Sequence, residues 1–198
     1  MTVYNVAIIG LGIMGRRMLT AMTAHDRFHV SGVWDPDPAQ FAAATAAGLP
    51  VTAAGNAGDL IAAATTDLVY IACPPAHHAD YAQAAMTAGK AVLCEKPLGV
   101  DLAESQALVA AAAATGSVNA VNFSQASSPA LTTIQERIAA GATGPLIGAD
   151  ILVHFSRWPR DWQADADWLR FRAEGGFTRE VLSHYVFLME RLFGPARL

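Results

Sequence analysis

The sequence contains few charged residues, and basic residues are the scarcer kind. Of its 198 residues 15% are charged, and 13 Lys+Arg stand against 17 Asp+Glu, which gives a formal net charge of −4. Soluble domains average about 25% charged residues, and a nucleic-acid-binding protein needs a basic stripe to neutralise phosphates. We therefore predict that the chain binds no nucleic acid. Hydrophobic residues make up 53% of the sequence, which excludes a disordered segment.

Cysteine and long apolar segments are also scarce. Cys73 and Cys94 lie in separate apolar runs, with no CxxC spacing and no His/Cys cluster, so we predict reduced core cysteines and no disulfide or metal site. The longest uncharged stretch, 105–135, is interrupted by Gly, Ser, Asn and Pro, whereas a membrane span needs about 20 apolar residues. A basic leader followed by an apolar core is missing at the N-terminus. The sequence therefore predicts a cytoplasmic protein with no membrane span.

Short apolar runs alternate with longer Ala-rich stretches over the first 122 residues. The runs predict strands at 3–9, 28–34, 68–72, 91–94 and 118–122, and the stretches between them predict helices near 14–24, 38–47, 76–88 and 102–115. This alternation is typical of βαβ units, and runs that are apolar throughout are typical of strands covered on both faces. The predicted fold class is α/β, with a Rossmann-type doubly wound parallel sheet in residues 1–122.

The chain after Asn122 has a different composition. Three of the four tryptophans and four arginines fall within 157–172. The tryptophans fit either the wall of a sugar pocket or a packed core. Residues 146–156 are predicted to form a strand and 178–193 a long amphipathic helix. We interpret 123–198 as the start of a second domain, and because the sequence stops where a further strand is expected, this domain is predicted to be truncated.

A glycine-rich turn lies between the first predicted strand and the first predicted helix. Its sequence, GLGIMG at 10–15, has the GxGxxG spacing. The first glycine permits the tight turn, the second leaves room for a pyrophosphate, and the third lets the helix approach the strand. The helix N-terminus then points its free N–H groups at the phosphates. We predict a dinucleotide site formed by Gly10, Gly12, Ile13, Met14 and Gly15.

Asp35 ends the second predicted strand, 20 residues after Gly15. A carboxylate at this point accepts hydrogen bonds from both hydroxyls of an adenosine ribose and repels a 2′-phosphate. NAD is therefore predicted as the cofactor, with NADP as the alternative. Arg16 and Arg17, beside the turn, fit either phosphate contacts or solvated side chains at the start of a helix.

Two further corners follow predicted strands, one with the run CPPAHH at 73–78 and one with the run GKAVLCEKPL at 89–98. Open parallel sheets bind ligands at the carboxyl ends of their strands. Lys96 is expected near the nicotinamide if the adenine half lies on the glycine turn and Asp35. A lysine desolvated beside a cofactor has its pKa lowered into a range useful for proton transfer. The alternative is a surface lysine in a turn.

Taken together, these motifs resemble the Gfo/Idh/MocA oxidoreductases, the family of glucose-fructose oxidoreductase and inositol dehydrogenase. The run AGKAVLCEKPL is the most specific piece, and GGFTREVLSH at 175–184 is a further one. The resemblance extends from Val3 to about Gly194. It implies that the second domain is an α+β substrate and oligomerisation domain, through whose sheet family members commonly associate.

The resemblance also assigns roles to individual residues. It implies that Lys96 belongs to the active site and that the peptide bond between Lys96 and Pro97 is often cis. The implied cofactor contacts in this part of the chain are Cys73, Pro74, His78, Glu95, Lys96 and Asn122.

Glu180 and His184 are four residues apart on a predicted helix, so their side chains share one face. The resemblance implies that they face Lys96 across the nicotinamide. His184 is the candidate general base or acid, because imidazole titrates near neutral pH. Glu180 stands where the family usually has Asp, Phe187 where many members have another Asp, and Pro75 where Asn is common. These departures leave the substrate and the direction of reaction open.

The predicted function is hydride transfer between NAD(P) and a secondary alcohol or ketone of a sugar, polyol or cyclitol. Lys96, His184 and Glu180 are the predicted catalytic residues, and no metal is needed. The expected partner is a small carbohydrate-like molecule, and a homo-oligomer is expected if the substrate domain is complete. Three alternatives stay open: an NAD-dependent glycosidase of the same superfamily, a non-catalytic dinucleotide-binding module, and a truncated inactive chain.

Overall fold

The structure, a computed structural model, describes residues 1–196, so the last two residues of the predicted second domain lie outside it. Its strands are β1 (Tyr4–Ile9), β2 (Phe28–Trp34), β3 (Leu68–Ile71), β4 (Ala91–Glu95) and β5 (Asn119–Asn122). Its helices are α1 (Ile13–Thr23), α2 (Pro38–Ala46), α3 (Ala57–Ala62), α4 (His78–Thr87), α5 (Leu102–Thr115), α6 (Pro129–Ala139) and α7 (Ser183–Phe193). Single 3₁₀ turns lie at Pro75–His77, Ser124–Ser127, Asp161–Gln163 and Asp167–Arg170, and a π-helical turn, Thr178–Leu182, runs directly into α7.

The five strands form one parallel sheet in the order β2-β1-β3-β4-β5. Outside β2, the chain near Ala53 adds a parallel bridge to Val33, which donates to Thr52 O and accepts from Ala54 N, both at 2.9 Å. Counted as a short strand, this segment gives the strand order of a doubly wound dinucleotide-binding sheet. The predicted α/β fold class is confirmed. The ligand crevice of such a sheet lies where the strand order reverses, here at the carboxyl ends of β1 and β3.

Both faces of the sheet are buried. Successive strand residues point to opposite faces, and Val6, Ala7, Ile8 and Ile9 of β1 are all fully buried. One face packs against α3, α4 and α5, and the other packs against α1. This explains why β1 from Val6 to Ile9 and the whole of β3 are apolar: no face is left there for polar residues.

Helices α3 and α6 were not predicted from the sequence, although both carry start signals. The side chain of Asn56 caps α3 by accepting the Asp59 N–H at 2.8 Å. Ser128 caps α6 by accepting the Leu131 N–H at 3.3 Å, and Pro129 follows at the first helical position. Asn and Ser caps and a first-turn proline are typical of helix starts, so these signals could have found both helices.

The predicted strand at 146–156 is wrong. Within the described range these residues pair with no strand, and Ile147 and Leu152 are 101% and 85% exposed. An extended segment needs a neighbouring strand to satisfy its backbone N–H and C=O groups. Without such a neighbour, the β-branched and apolar residues of this segment do not form a strand.

The predicted helix at 178–193 is present, but it begins with the π-helical turn before α7. Such turns are rare and are frequent at functional sites. The helix packs against α6 and the Ser124–Ser127 turn. Among residues 1–196, no helix combines the length and the apolar character that crossing a bilayer requires.

Candidate active site

A cleft of about 810 Å³ opens at the carboxyl ends of the parallel strands. One wall consists of the turn after β1 and the corners after β2, β3 and β4, and the other consists of the 3₁₀ turns within 155–169 together with the π turn and α7. Cofactor and ligand pockets measure about 300–1,000 Å³. The predicted site residues that line the cleft are Gly10, Gly12, Ile13, Met14, Asp35, Cys73, Pro74, Glu95, Lys96, Asn122, Glu180 and His184.

The glycine turn is shaped by close backbone contacts. Gly10 has a φ of +97°, and a Cβ there would lie 2.6 Å from the Cys73 backbone nitrogen. A Cβ on Gly15 would lie 1.8 Å from the Gly10 carbonyl oxygen, so α1 reaches the turn only because residue 15 has no side chain. Gly15 therefore supports the turn from behind and does not itself line the cleft.

Gly12 differs from Gly10 and Gly15, the other two glycines of the turn, because it faces open space. A Cβ at Gly12 would meet no atom within 4 Å, and the φ of −58° and ψ of −167° suit other residues as well. In the described part of the chain, no side chain caps α1, so its first N–H groups remain available to an anion. The turn therefore fits the diphosphate of a dinucleotide.

Asp35 is held at the end of β2 by two backbone groups. Its Oδ2 accepts the Leu11 N–H at 2.7 Å and its Oδ1 accepts the Asp37 N–H at 2.9 Å. Each carboxylate oxygen keeps a lone pair for a ribose hydroxyl. Arg16 donates to Leu11 O at 2.9 Å and to Gln40 Oε1 at 2.7 Å, so it connects the turn to α2.

We expect Asp35→Asn to shift the affinity ratio between NAD and NADP by about tenfold towards NADP, because the variant loses the charge that repels a 2′-phosphate. Calorimetric dissociation constants for both dinucleotides test this. Asp37→Asn is the matched control: Asp37 caps α2 by accepting the Ala39 N–H, and asparagine caps a helix equally well. An unchanged ratio in Asp35→Asn would show that the carboxylate does not select the cofactor.

The corner after β3 is tied to the corner after β4 by a buried histidine. His78 is 1% exposed, and its ring nitrogens contact Pro97 O at 2.8 Å and Cys73 O at 2.9 Å. Burial lowers the pKa of His78, and the two carbonyl contacts oppose this effect. The structure does not place His78 in the cleft, because both ring nitrogens are engaged behind it. The expected cis peptide bond between Lys96 and Pro97 is present.

The two cysteines occupy different environments. Cys94 is buried in the sheet, as predicted, whereas Cys73 is half-buried and lines the cleft. Burial raises the pKa of the Cys73 thiol to about 12, so the thiol stays protonated at neutral pH. Both cysteines are free, and among residues 1–196 no cluster of three His, Cys, Asp or Glu side chains is arranged to hold a metal ion.

Glu95, at the end of β4, is 4% exposed and accepts two hydrogen bonds. Tyr70 Oη and Asn122 Nδ2 both donate to its Oε1 at 2.6 Å. Burial, followed by the charge of Glu95, raises the pKa of Tyr70, so the hydroxyl remains a donor. Sequence reasoning missed Tyr70 because an aromatic residue within an apolar run predicts only core packing.

Lys96 and Glu180 form an ion pair across the cleft. Lys96 Nζ donates to Glu180 Oε2 at 2.5 Å and to the Glu180 carbonyl oxygen at 3.3 Å, and the two side chains are 14% and 4% exposed. Burial raises the pKa of Glu180, against the opposing charge of Lys96. Glu180 Oε1 is buried and has no hydrogen-bond partner among residues 1–196. An ammonium has three donors, so one N–H of Lys96 is left for a ligand.

His184 lines the same cleft, one helical turn after Glu180. Its ring meets Phe123 edge-on at 5.7 Å, and Phe123 stacks on Phe187 at 4.3 Å, so Phe187 supplies an apolar wall. Burial, followed by the charge of Lys96, lowers the pKa of His184 to about 4. The imidazole is therefore neutral at pH 7 and able to accept a proton. Its Nδ1 is buried without a partner in the described range.

The lowered pKa of His184 makes folding stability depend on pH. Its folded value of about 4 lies below the ordinary 6.5, so between these pH values the unfolded chain binds more protons. The contribution to the free energy of unfolding is complete above pH 6.5 and is lost as the pH falls towards 4. Allowing for solvent screening of a half-buried ring, we expect a loss of about 1–2 kcal/mol.

Urea unfolding of the wild type and of His184→Gln at pH values between 4 and 7 measures this contribution. The difference in stability between the two proteins should change across that window and be constant above it. If both proteins lose stability in parallel, the ring is not buried in its neutral form. Because only residue 184 differs, titration of the other groups cancels in the comparison.

The sequence left open whether the three tryptophans within 157–172 line a ligand pocket or pack in a core, and both cases occur. Trp162 and Trp168 line the cleft. Trp158 packs instead against Phe155 at 6.5 Å and against Phe177 at 5.5 Å. Of these three tryptophans, Trp162 and Trp168 are therefore placed to contact a ligand, and Trp34 of β2 lines the cleft as well.

Comparison with known proteins identifies a family that this sequence matches. Residues 4–123 match the family model GFO_IDH_MocA, described as an oxidoreductase family with an NAD-binding Rossmann fold. The chain is 35% identical over 155 residues to inositol 2-dehydrogenase 1 of Saccharopolyspora erythraea, covering 76% of this chain and 44% of that protein. It is 30% identical over 198 residues to dTDP-3,4-didehydro-2,6-dideoxy-alpha-D-glucose 3-reductase of Streptomyces violaceoruber, covering 96% and 56%. The chain thus spans about half the length of these relatives.

The fold is also shared with solved structures. WlbA dehydrogenase from Bordetella pertussis, solved in complex with NADH and UDP-GlcNAcA, has a TM-score of 0.86 at 24% identity, covering 98% of this chain and 56% of that one. The predicted NAD-binding Rossmann fold is confirmed by the family match. By the family match and by the glycine turn and parallel sheet described above, the chain belongs to the Gfo/Idh/MocA family of oxidoreductases.

Proposed function

We propose that this chain transfers hydride between NAD and a secondary alcohol or ketone of a sugar, polyol or cyclitol. The observation that carries the proposal is the position of Lys96, Glu180 and His184 in one cleft, beside a turn that fits a dinucleotide. The names of the relatives support the substrate class, because they include an inositol dehydrogenase and a deoxysugar reductase.

The three side chains act on one hydroxyl group. The remaining N–H of Lys96 donates to the substrate oxygen and stabilises the negative charge that develops there. Neutral His184 accepts the hydroxyl proton. Glu180 holds the ammonium in position through its Oε2. NAD, when bound, supplies the hydride acceptor, so the carbon loses a hydride and the oxygen loses a proton.

A panel of sugars, polyols and cyclitols tests the proposal, with NADH absorbance followed on protein of verified mass. We expect net NADH formation with at least one member of the panel. Glycoside cleavage without net NADH would indicate an NAD-dependent glycosidase instead. Saturable NAD binding with no turnover across the panel would indicate a dinucleotide-binding module.

A further inference from the structure

Two arginines from opposite walls of the cleft meet on one indole ring. The guanidinium carbons of Arg17, in α1, and of Arg160 lie 4.4 and 4.5 Å from the Trp162 ring centroid. Arg160 also lies 4.8 Å from the Phe155 centroid, and its Nε donates to Gln163 Oε1 at 3.1 Å. Gln163 is itself 7% exposed. The plane of the Arg160 guanidinium is thus held by two rings and one buried amide, so it loses little freedom on binding a ligand.

Arg160 has no counter-ion in the described part of the chain. The ion pairs found there join Lys96 to Glu180, Arg157 to Asp161, and Arg170 to Asp167. Asp165 lines the cleft as well, but no carboxylate among residues 1–196 pairs with Arg160. Its Nη groups also have no hydrogen-bond acceptor within that range. A held guanidinium with unused donors matches the paired oxygens of a carboxylate or a phosphate.

The two arginines serve different parts of the cleft. Arg17 belongs to the first turns of α1, beside the glycine turn and hence near the diphosphate of a bound dinucleotide. The Phe155 ring that Arg160 contacts meets Phe177 edge-on at 5.7 Å, and Phe177 directly precedes the π turn that carries Glu180 and leads to His184. Arg160 is therefore at the reacting end of the cleft, where a substrate lies beside His184.

We propose that Arg160 binds an acid group, a carboxylate or a phosphate, carried by the substrate. The inference rests on the proposed function, because it places the substrate hydroxyl at His184. It narrows the substrate class from sugars and polyols in general to those with a negatively charged group, such as sugar acids or sugar phosphates. Arg160 is on this basis a specificity-determining residue.

Calorimetric binding of matched ligands to the NADH-loaded full chain tests this inference. The neutral probes are D-glucose and myo-inositol, the carboxylates are D-gluconate and D-glucuronate, and the phosphate is D-glucose 6-phosphate. We expect at least one acid class to bind about tenfold or more tightly than the neutral probes. The class that binds more tightly identifies the acid group. Arg160→Gln should abolish this preference, and Arg160→Lys should keep part of it, because lysine retains the charge without the fork.

Arg17→Gln is the matched control, since it removes the same charge from the other guanidinium on Trp162. We expect it to weaken NADH binding and to keep the preference for acids. Equal binding of neutral and acid probes by the wild type would overturn the inference. So would a loss of NADH affinity in Arg160→Gln as large as that in Arg17→Gln, because Arg160 would then serve the cofactor. Acid preference in a protein without turnover would support this site while contradicting the proposed function.

Discussion

Lys96→Gln is expected to lower kcat by about 10²-fold or more, a loss typical of removing one donor that stabilises a developing oxyanion. Glutamine keeps a hydrogen-bond donor for Glu180 but has no charge to stabilise the developing alkoxide. Because the proposed role of Lys96 is to act on the substrate oxygen, the dissociation constant of NAD should change by less than about threefold, a small free-energy difference. NADH absorbance measures the first quantity and calorimetry the second.

Lys90 provides the matched control, because it is the only other lysine in the sequence. Its Nζ donates to Ala63 O at 2.8 Å, and it precedes β4, so it lies at the amino end of the strand whose carboxyl end leads to Lys96. Lys90→Gln should therefore leave kcat within about threefold of the wild type, as expected away from the reacting atoms. A Lys96→Gln enzyme with wild-type turnover would remove Lys96 from the catalytic machinery.

Gly15→Ala is expected to lose stability, whereas Gly12→Ala is expected to lose NAD affinity. A Cβ at Gly15 meets the Gly10 carbonyl oxygen at 1.8 Å, so α1 must move away from the turn, with a loss of about 3 kcal/mol or more in the free energy of unfolding. A Cβ at Gly12 meets no protein atom within 4 Å, so stability should change by less than about 1 kcal/mol. That Cβ projects into the cleft where we propose that the diphosphate of NAD binds, so we expect NAD affinity to fall by about tenfold or more.

Urea unfolding separates the two glycine variants, and calorimetry on the folded Gly12→Ala protein measures NAD affinity. Each variant is the control for the other, because both add one methyl group to the same turn. If Gly12→Ala binds NAD as the wild type does, the diphosphate does not lie against this turn. If Gly15→Ala unfolds at the wild-type urea concentration, the contact between α1 and the turn is not tight.

The parts of the fold that follow from short-range pattern were predicted well. The strands β1–β5 and four of the helices between them are present, and most residues of β1, β3 and β4 are buried on both faces. The segment at 146–156 shows the limit of this reasoning. Its composition favours a strand, but a strand depends on a partner for its backbone, and residues in the described range supply none.

In the candidate site, too, the sequence pattern predicted the position of some residues, and only the structure showed the position of others. The resemblance implied a cofactor contact for His78, yet the structure uses both ring nitrogens to join Cys73 to Pro97. Tyr70 had no predicted role, yet strand register brings its hydroxyl to Glu95. In the sequence, Arg160 is only one member of an arginine cluster, and no function could be predicted for it. The function of a charged side chain depends on the groups that surround it in the folded structure.

By itself, the sequence determined the parallel sheet and the glycine turn. These depend on backbone sterics and on burial, which act over a few residues. Only the tertiary structure decided that Lys96 pairs with Glu180 across 84 positions, that His184 is neutral, and that Arg160 is left without a counter-ion. Charge interactions and desolvation act through space, and their strength depends on distances and exposure that the order of residues does not specify.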